Sequence, residues 1–302
     1  MNVFGDKWSF TSFGESHGAA IGGVLDGVPA GQHIDFAMIR EELERRAGRG
    51  EVGTSARAKN EPDEVEWLSG VMDGVTLGTP IAFIIRNKDA RPEDYEWLKH
   101  TYRVGHADRV YEQKYGVRDW RGGGRASARE TASRVVAGCL AKQELAQKGI
   151  AIQAQLVQVG AETDPNKFAE VIAAYQKEGD SIGGIVECRI TGLPAGVGEP
   201  IFNKLQAELA FAIMSINACK GFEYGTGFGG VTQPGSAINA ISGGIAGGIS
   251  DGTEVVFRCV FKPTPSTPKA GVKGRHDACV ATRAVPVVEA MTALALINLY
   301  AA

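Results

Sequence analysis

Apolar positions along the chain recur with two periods, and each stretch predicts an element. Phe36, Ile39 and Leu43 fall at helical spacing behind Asp35, which predicts a helix capped by Asp35 and running through Arg46. Ser127-Ala128-Arg129-Glu130 reads as a capping box that opens a long helix through Val135, Val136, Leu140 and Leu145 to a stop at Gly149. Asp164-Pro165 opens a third helix. Pro200 suits the first position of a fourth, carrying Ile201, Leu205, Leu209, Ile213 and Ile216 before Gly221, and Pro286 opens a last one. Strand signals lie between them: Ile81–Ile85, the alternating Ile150–Leu156, Ile185–Ile190 and Glu254–Phe261. Helices and strands do not alternate at the spacing of βαβ units, so the order predicts an α+β fold rather than a doubly wound parallel sheet.

Composition narrows the class. Thirty-two Lys and Arg stand against 35 Asp and Glu in 302 residues, a formal net charge of -3, which argues against a generally basic nucleic-acid binder. With 44% hydrophobic and 22% charged residues the chain is neither disordered nor short of core material. The apolar C-terminal stretch is broken by Glu289 and Asn298, so no membrane span is expected. No basic segment followed by an apolar one opens the chain, and the expected location is the cytoplasm. The five cysteines, 139, 188, 219, 259 and 279, form no CxxC pair and predict buried, reduced thiols without a metal site. No linker divides the sequence, which predicts one domain over residues 1–302. Forty glycines, clustered at 122–124, 221–230 and 243–252, point to tight turns and close backbone approaches.

Four constellations carry candidate chemistry. Gly14-Glu15-Ser16-His17-Gly18 formally matches a nucleophile elbow, but thirteen residues cannot supply the strand and loop that an elbow requires upstream. The glycines instead let the backbone present His17 to a ligand as an acid or base. Arg103-Val104-Gly105-His106-Ala107-Asp108 places a second histidine among an arginine and a carboxylate. Residues 101–134 hold eight Lys and Arg against four Asp and Glu, and Gly122-Gly123-Gly124 feeds the Ser127 helix start. Free N–H groups, a positive helix end and guanidinium donors together suit a phosphate. Finally, Lys262-Pro263-Thr264-Pro265-Ser266 and His276-Asp277 offer more anion ligands and a proton relay. A Gly225-x-Gly227-x-x-Gly230 match lacks the following helix of a dinucleotide site.

Taken in order, Gly14–Gly18 with Asp26-Gly27-Val28-Pro29, Gly105–Asp108, the 122–131 block, Met214-Ser215-Ile216-Asn217-Ala218, Lys262-Pro263-Thr264 and Gly274-Arg275-His276-Asp277 closely resemble the chorismate synthase family. The resemblance covers nearly the whole chain. It implies a single-domain β-α-β sandwich with helices between two sheets, assembling as a homotetramer. It also implies a lyase that removes phosphate from 5-enolpyruvylshikimate 3-phosphate by 1,4-elimination to give chorismate. The family requires reduced FMN, which some members reduce with NADPH.

By the same resemblance His17 would protonate the departing phosphate, His106 would act at the flavin and Asp277 would relay the proton lost from the ring. Substrate anions would meet Ser16, Arg46, Arg103, Arg129, Arg134 and Arg275. Flavin contacts would come from Arg57, Arg125, Ala126 and Ser127, from Asn217, Ala218 and Gly247, from Lys262, Pro263, Thr264, Pro265 and Ser266, and again from Arg275. The sequence departs from the family at Val104 and Ala278, where prolines are usual, and at Ala240, where an asparagine is usual. It is compressed around 229–240 and 265–274. The rival reading is a phosphate-ligand or flavin-binding protein of the same fold that has lost turnover.

Overall fold

Nine strands build two antiparallel sheets. In the computed structural model, which describes residues 1–238, 242–272 and 276–300, the first sheet contains Val3–Phe4 (β1), Ser9–Phe13 (β2), Ala20–Asp26 (β3), Val65–Trp67 (β4) and Ile81–Arg86 (β5), in the order β1-β2-β3-β5-β4. Ile81, Phe83 and Ile85 alternate on its buried face, each fully covered. Gly22 and Gly23 sit opposite them in β3 because a Cβ there would strike the Phe83 carbonyl and the Phe13 and Phe10 rings. The same glycines weaken the strand signal of β3, which the hydrophobic pattern did not predict.

The second sheet contains Ala151–Val159 (β6), Gly184–Thr191 (β7), Cys219–Tyr224 (β8) and Val255–Phe261 (β9), ordered β8-β9-β7-β6. Three of these are the predicted strands, and β8 is additional. Val186, Cys188 and Ile190 of β7 and Phe257, Cys259 and Phe261 of β9 turn inward.

Four helices fill the space between: Phe36–Ala47 (α1), Thr131–Gln147 (α2), Leu205–Met214 (α3) and Ala281–Tyr300 (α4). α2 packs on β2, β3 and β5, α4 packs on β6 and β7, and α2 and α4 lie against each other. This is the β-α-β sandwich expected from the resemblance. Gly138 of α2 brings the two helix backbones into contact, since a Cβ there would collide with Ala290. One buried apolar cluster runs from Trp8 to Ile297.

The predicted caps at Asp35 and Asp164 form, with Asp35 Oδ1 accepting from the Met38 N–H at 3.0 Å. Two proline readings are corrected. Residues 200–203 precede α3 in irregular chain, leaving Ile201 and Phe202 exposed. Pro286 lies inside α4, which starts five residues earlier; Ala284 N–H already bonds Val280 O at 3.2 Å, so the turn is made before the proline interrupts it. α4 is also long and apolar enough to cross a bilayer by those two measures, but here it is the central helix of the sandwich. Its interrupting Asn298 accepts the N–H groups of Asp6, Lys7 and Trp8, pinning the N-terminal segment to it. All five cysteines are free and buried, as expected.

Candidate active site

Beside the start of α2 opens a cleft of ≈ 580 Å³. Loops from both sheets reach it. The 14–19 loop is a β-hairpin connection between β2 and β3, turned at Gly14 with φ +92°, and it carries His17. This context also disposes of the nucleophile elbow, which needs a strand entering a helix. Across the cleft lies the 101–107 loop with His106, and Gly122 explains part of the glycine run: with φ +71° it seats the His17 ring where any Cβ would collide. Asn217 and Ala218 arrive from the turn between α3 and β8, Lys262 and 264–266 from the end of β9, and His276 and Asp277 from the approach to α4.

Most of the predicted residues therefore meet. His17, His106 and Asp277 line the cleft with Arg46, Arg57, Arg103 and Arg129; so do Ala126, Ser127, Asn217, Ala218, Lys262, Thr264, Pro265 and Ser266. Five expected residues are not in its lining. Arg125 reaches the first sheet, donating to Gly14 O at 3.1 Å and Ser12 Oγ at 2.6 Å. Arg134 donates to Glu130 at 3.0 Å and to Ser215 Oγ at 2.7 Å. Gly247, with φ +64°, turns a small hairpin between Ile245–Ala246 and Ile249–Ser250. Pro263 is the non-lining member of its loop, and Ser16 is buried behind His17, its Oγ 3.1 Å from Nδ1. Arg275 and Ala240 lie outside the described residues.

The arginines are held by carboxylates, of which the sequence singled out Asp108 and Asp277 but not Asp63. Asp63 receives both Arg46, at 3.0 Å, and Arg129. Burial pushes the Asp63 carboxyl up, but the two guanidinium groups outweigh it and hold it below the usual range. Arg46 also donates to Thr131 Oγ1 and Ala128 O, and burial brings it down to about 9, still charged at neutral pH. Arg103 forms a fork with Asp108 at 2.9 and 2.8 Å. Asp108 Oδ1 stands 2.8 Å from His106 Nδ1. Burial opposes the Asp108 charge, yet the bonds from Arg103 and His106 keep it well below the usual carboxylate range. A carboxylate on Nδ1 fixes that proton and leaves Nε2 as the free ring nitrogen. Arg283 holds Asp277 at 2.6 Å, while Asp277 Oδ1 accepts the Ser55 N–H. Burial pushes His276 down.

Tyr95, Glu61, Arg283 and Tyr111 also line the cleft and were not anticipated. Tyr95 meets the His17 ring edge-on, centroids 4.7 Å apart. Their only sequence signal is composition, because the 45–63 stretch has no periodicity that would place Glu61 and Asp63 under the arginines.

Two features show that the cleft is built for a ligand. Six cationic side chains line it against two carboxylates, Glu61 and Asp277, among the described residues. Asn217 Oδ1 is buried without a hydrogen-bond partner, and Ala218 beside it holds φ +66°, a strained conformation for a residue with a Cβ. A flavin ring, with one imide N–H and adjoining carbonyls, fits an orphaned acceptor here, and the hydroxyls of Ser127, Thr264 and Ser266 with Lys262 fit its phosphate.

Residues 8–301 match the family model described as chorismate synthase. A chorismate synthase of Phocaeicola vulgatus is 46% identical, the match covering 99% of this chain and 98% of that protein. One from Bacteroides thetaiotaomicron is likewise 46% identical over 99% and 98%. A solved structure titled as the crystal structure of chorismate synthase superposes with a TM-score of 0.78 at 30% identity, covering 98% of this chain and 92% of that one. The Phocaeicola alignment spans 353 positions against 302 residues here, so at least 51 of its positions have no counterpart in this chain.

Proposed function

The chain belongs to the chorismate synthase family, carbon–oxygen lyases acting on a phosphate-bearing substrate, and we propose how its cleft carries out the 1,4-elimination that yields chorismate. The observation that carries the reading is the meeting of His17, His106 and an excess of cations in one cleft with an unpaired acceptor. The substrate brings a phosphate and two carboxylates, and a water-poor cationic site is where such charge is stabilised. Nothing about the cleft favours a protein that only binds.

Reduced FMN, with NADPH as one source of electrons, is the proposed cofactor; when bound it lends electron density to the departing C–O bond without net redox change. Arg129 neutralises substrate anions, and Arg57, given to the flavin by the resemblance, stands beside the His17 ring. As the C–O bond breaks, His17 donates a proton to the leaving phosphate. As the ring C–H bond breaks, Asp277 takes up the proton and relays it away. Asp108 holds His106 by Nδ1, and Arg283 orients Asp277. Arg46, buried and bonded to Asp63, Thr131 and Ala128, braces Asp63 under Arg129.

We place the reaction in the cytoplasm, which suits five free thiols. We also propose assembly as a homotetramer, for which exposed Phe202, Phe211, Phe228 and Val231 supply apolar surface. Anaerobic incubation with 5-enolpyruvylshikimate 3-phosphate and photoreduced FMN is the test. Chorismate release supports the reading, and tight binding of both without product overturns it.

A further inference from the structure

The cleft residues do not hold themselves in place, and one side chain outside the lining connects the two that matter most. Asn87 follows the last residue of β5 and is half-buried. Its Nδ2 donates to Glu15 O at 3.0 Å and to Gly18 O at 2.9 Å, the two carbonyls that bracket Ser16-His17. Its Oδ1 accepts from Arg129 Nε at 2.9 Å and more weakly from Arg57 Nη2 at 3.5 Å. The amide orientation is forced by its partners, since both carbonyls only accept and both guanidinium groups only donate. The Asn87 backbone is also fixed, its N–H donating to Ala19 O at 3.1 Å. An interior strand of the first sheet thereby helps set the position of the hairpin loop, which Arg57 also holds by donating to Ser16 O at 2.5 Å.

We propose that Asn87 is a positioning residue for the elimination: it locks the 15–18 loop so that the His17 ring stands at a fixed place relative to the Arg129 guanidinium. The inference rests on His17 being the proton donor. A proton donor loses its advantage when the reacting atoms drift by about an ångström, and such misplacement costs on the order of 10²-fold in rate. No other side chain contact among those described ties the 15–18 loop and Arg129 together through one group.

The test is a double-mutant cycle on the full-length enzyme, read as anaerobic single-turnover and steady-state kcat with photoreduced FMN. Asn87→Leu removes all four contacts; Asn87→Asp keeps an acceptor for both arginines and loses the two donors to the loop, so it folds even where the leucine variant does not. Each is expected to lower kcat ~10²-fold alone, and to lower it less than about threefold further in a His17→Ala background, because a donor that is absent cannot be misplaced. Equal losses in both backgrounds, or a wild-type kcat for Asn87→Asp, overturn the proposal. A His17→Ala enzyme with normal kcat overturns the function reading instead, which keeps the two failures distinct.

Discussion

Consecutive residues of α1 enter two different ion networks. Arg45 turns to one side, where it meets Glu42 at 2.6 Å and Glu289 at 3.1 Å, and Lys142 bridges the same two carboxylates at 2.9 and 2.6 Å. Arg46, about 100° further round the helix, turns to the cleft and Asp63. The chemistry is shared, but the closure is not. In the first network two carboxylates answer two cations, and the last acceptor of Glu289 takes the Ala154 N–H at 2.9 Å, which ties α1, α2 and α4 to the edge strand β6. In the second, cations outnumber carboxylates, Asn217 Oδ1 lacks a donor, and Asp63 and Ala218 hold φ of 52° and 66°. Ion pairing that closes on itself is structure; ion pairing left open, with strain around it, is a site.

The sharpest way to break this contrast is to remove a proton donor from the open side. His17→Ala and His106→Ala are each expected to lower kcat by ~10²–10⁴-fold with little change in melting temperature. Asp108→Asn should follow with ~10²-fold in kcat, because the amide cannot hold His106 by Nδ1 and fork Arg103 together. Steady-state kinetics beside calorimetry check both. A melting temperature that collapses along with kcat would make the cleft network structural after all.

The closed side should respond the other way. Glu289→Gln leaves Lys142 and Arg45 with one carboxylate and is expected to cost about 2–3 kcal/mol of stability while kcat and KM stay near wild type. The figure sits below the ~3–5 kcal/mol of a fully buried pair because the Arg45 side chain is 43% exposed. Burial raises the Glu289 carboxyl, but Arg45 and Lys142 outweigh it and hold it below its ordinary value. A depressed carboxyl contributes fully above its unfolded pKa of ~4.3 and loses that contribution as pH falls through the folded value. The wild-type advantage over Glu289→Gln should therefore shrink from about pH 5 downward; an advantage that grows with acid would reverse the sign and the assignment.

What the sequence made legible follows the same division. Periodicity placed α1, α2 and the four strands β5, β6, β7 and β9, because those elements bury one face or all faces and their apolar spacing says so. It misplaced the start of α4, where Pro286 looked like a first residue but the preceding turn is already closed by Val280 and Ala284. It passed over β3, where glycines make room for phenylalanine rings. In the site, glycine-flanked histidines were visible because backbone turns leave a mark. Asp63 and Asn87 were not, since each acts through several partners distant in sequence and no local pattern announces it. Arg125 and Arg134 show the converse: the resemblance implied ligand binding, while their donors reach Ser12, Gly14 and Ser215.

The smallest expected effect tests the border between the two kinds of network. Ser127 lines the cleft and also accepts the Arg129 N–H at 3.2 Å, capping the short turn Ala128–Glu130 that leads into α2. The predicted capping box is half made, because Glu130 swings to Arg134 instead of returning to Ser127. A hydroxyl that accepts one bond still has its own proton to give, and the cleft is where a ligand oxygen can take it. Ser127→Ala should cost ~1 kcal/mol of stability through the lost cap. If the hydroxyl also serves the flavin phosphate, FMN affinity should fall by ~5–10-fold, the worth of about one hydrogen bond. Calorimetry measures the first and anaerobic titration with reduced FMN the second. Lost stability with unchanged FMN affinity would assign Ser127 to the closed kind of network, as a cap for Arg129 and nothing more.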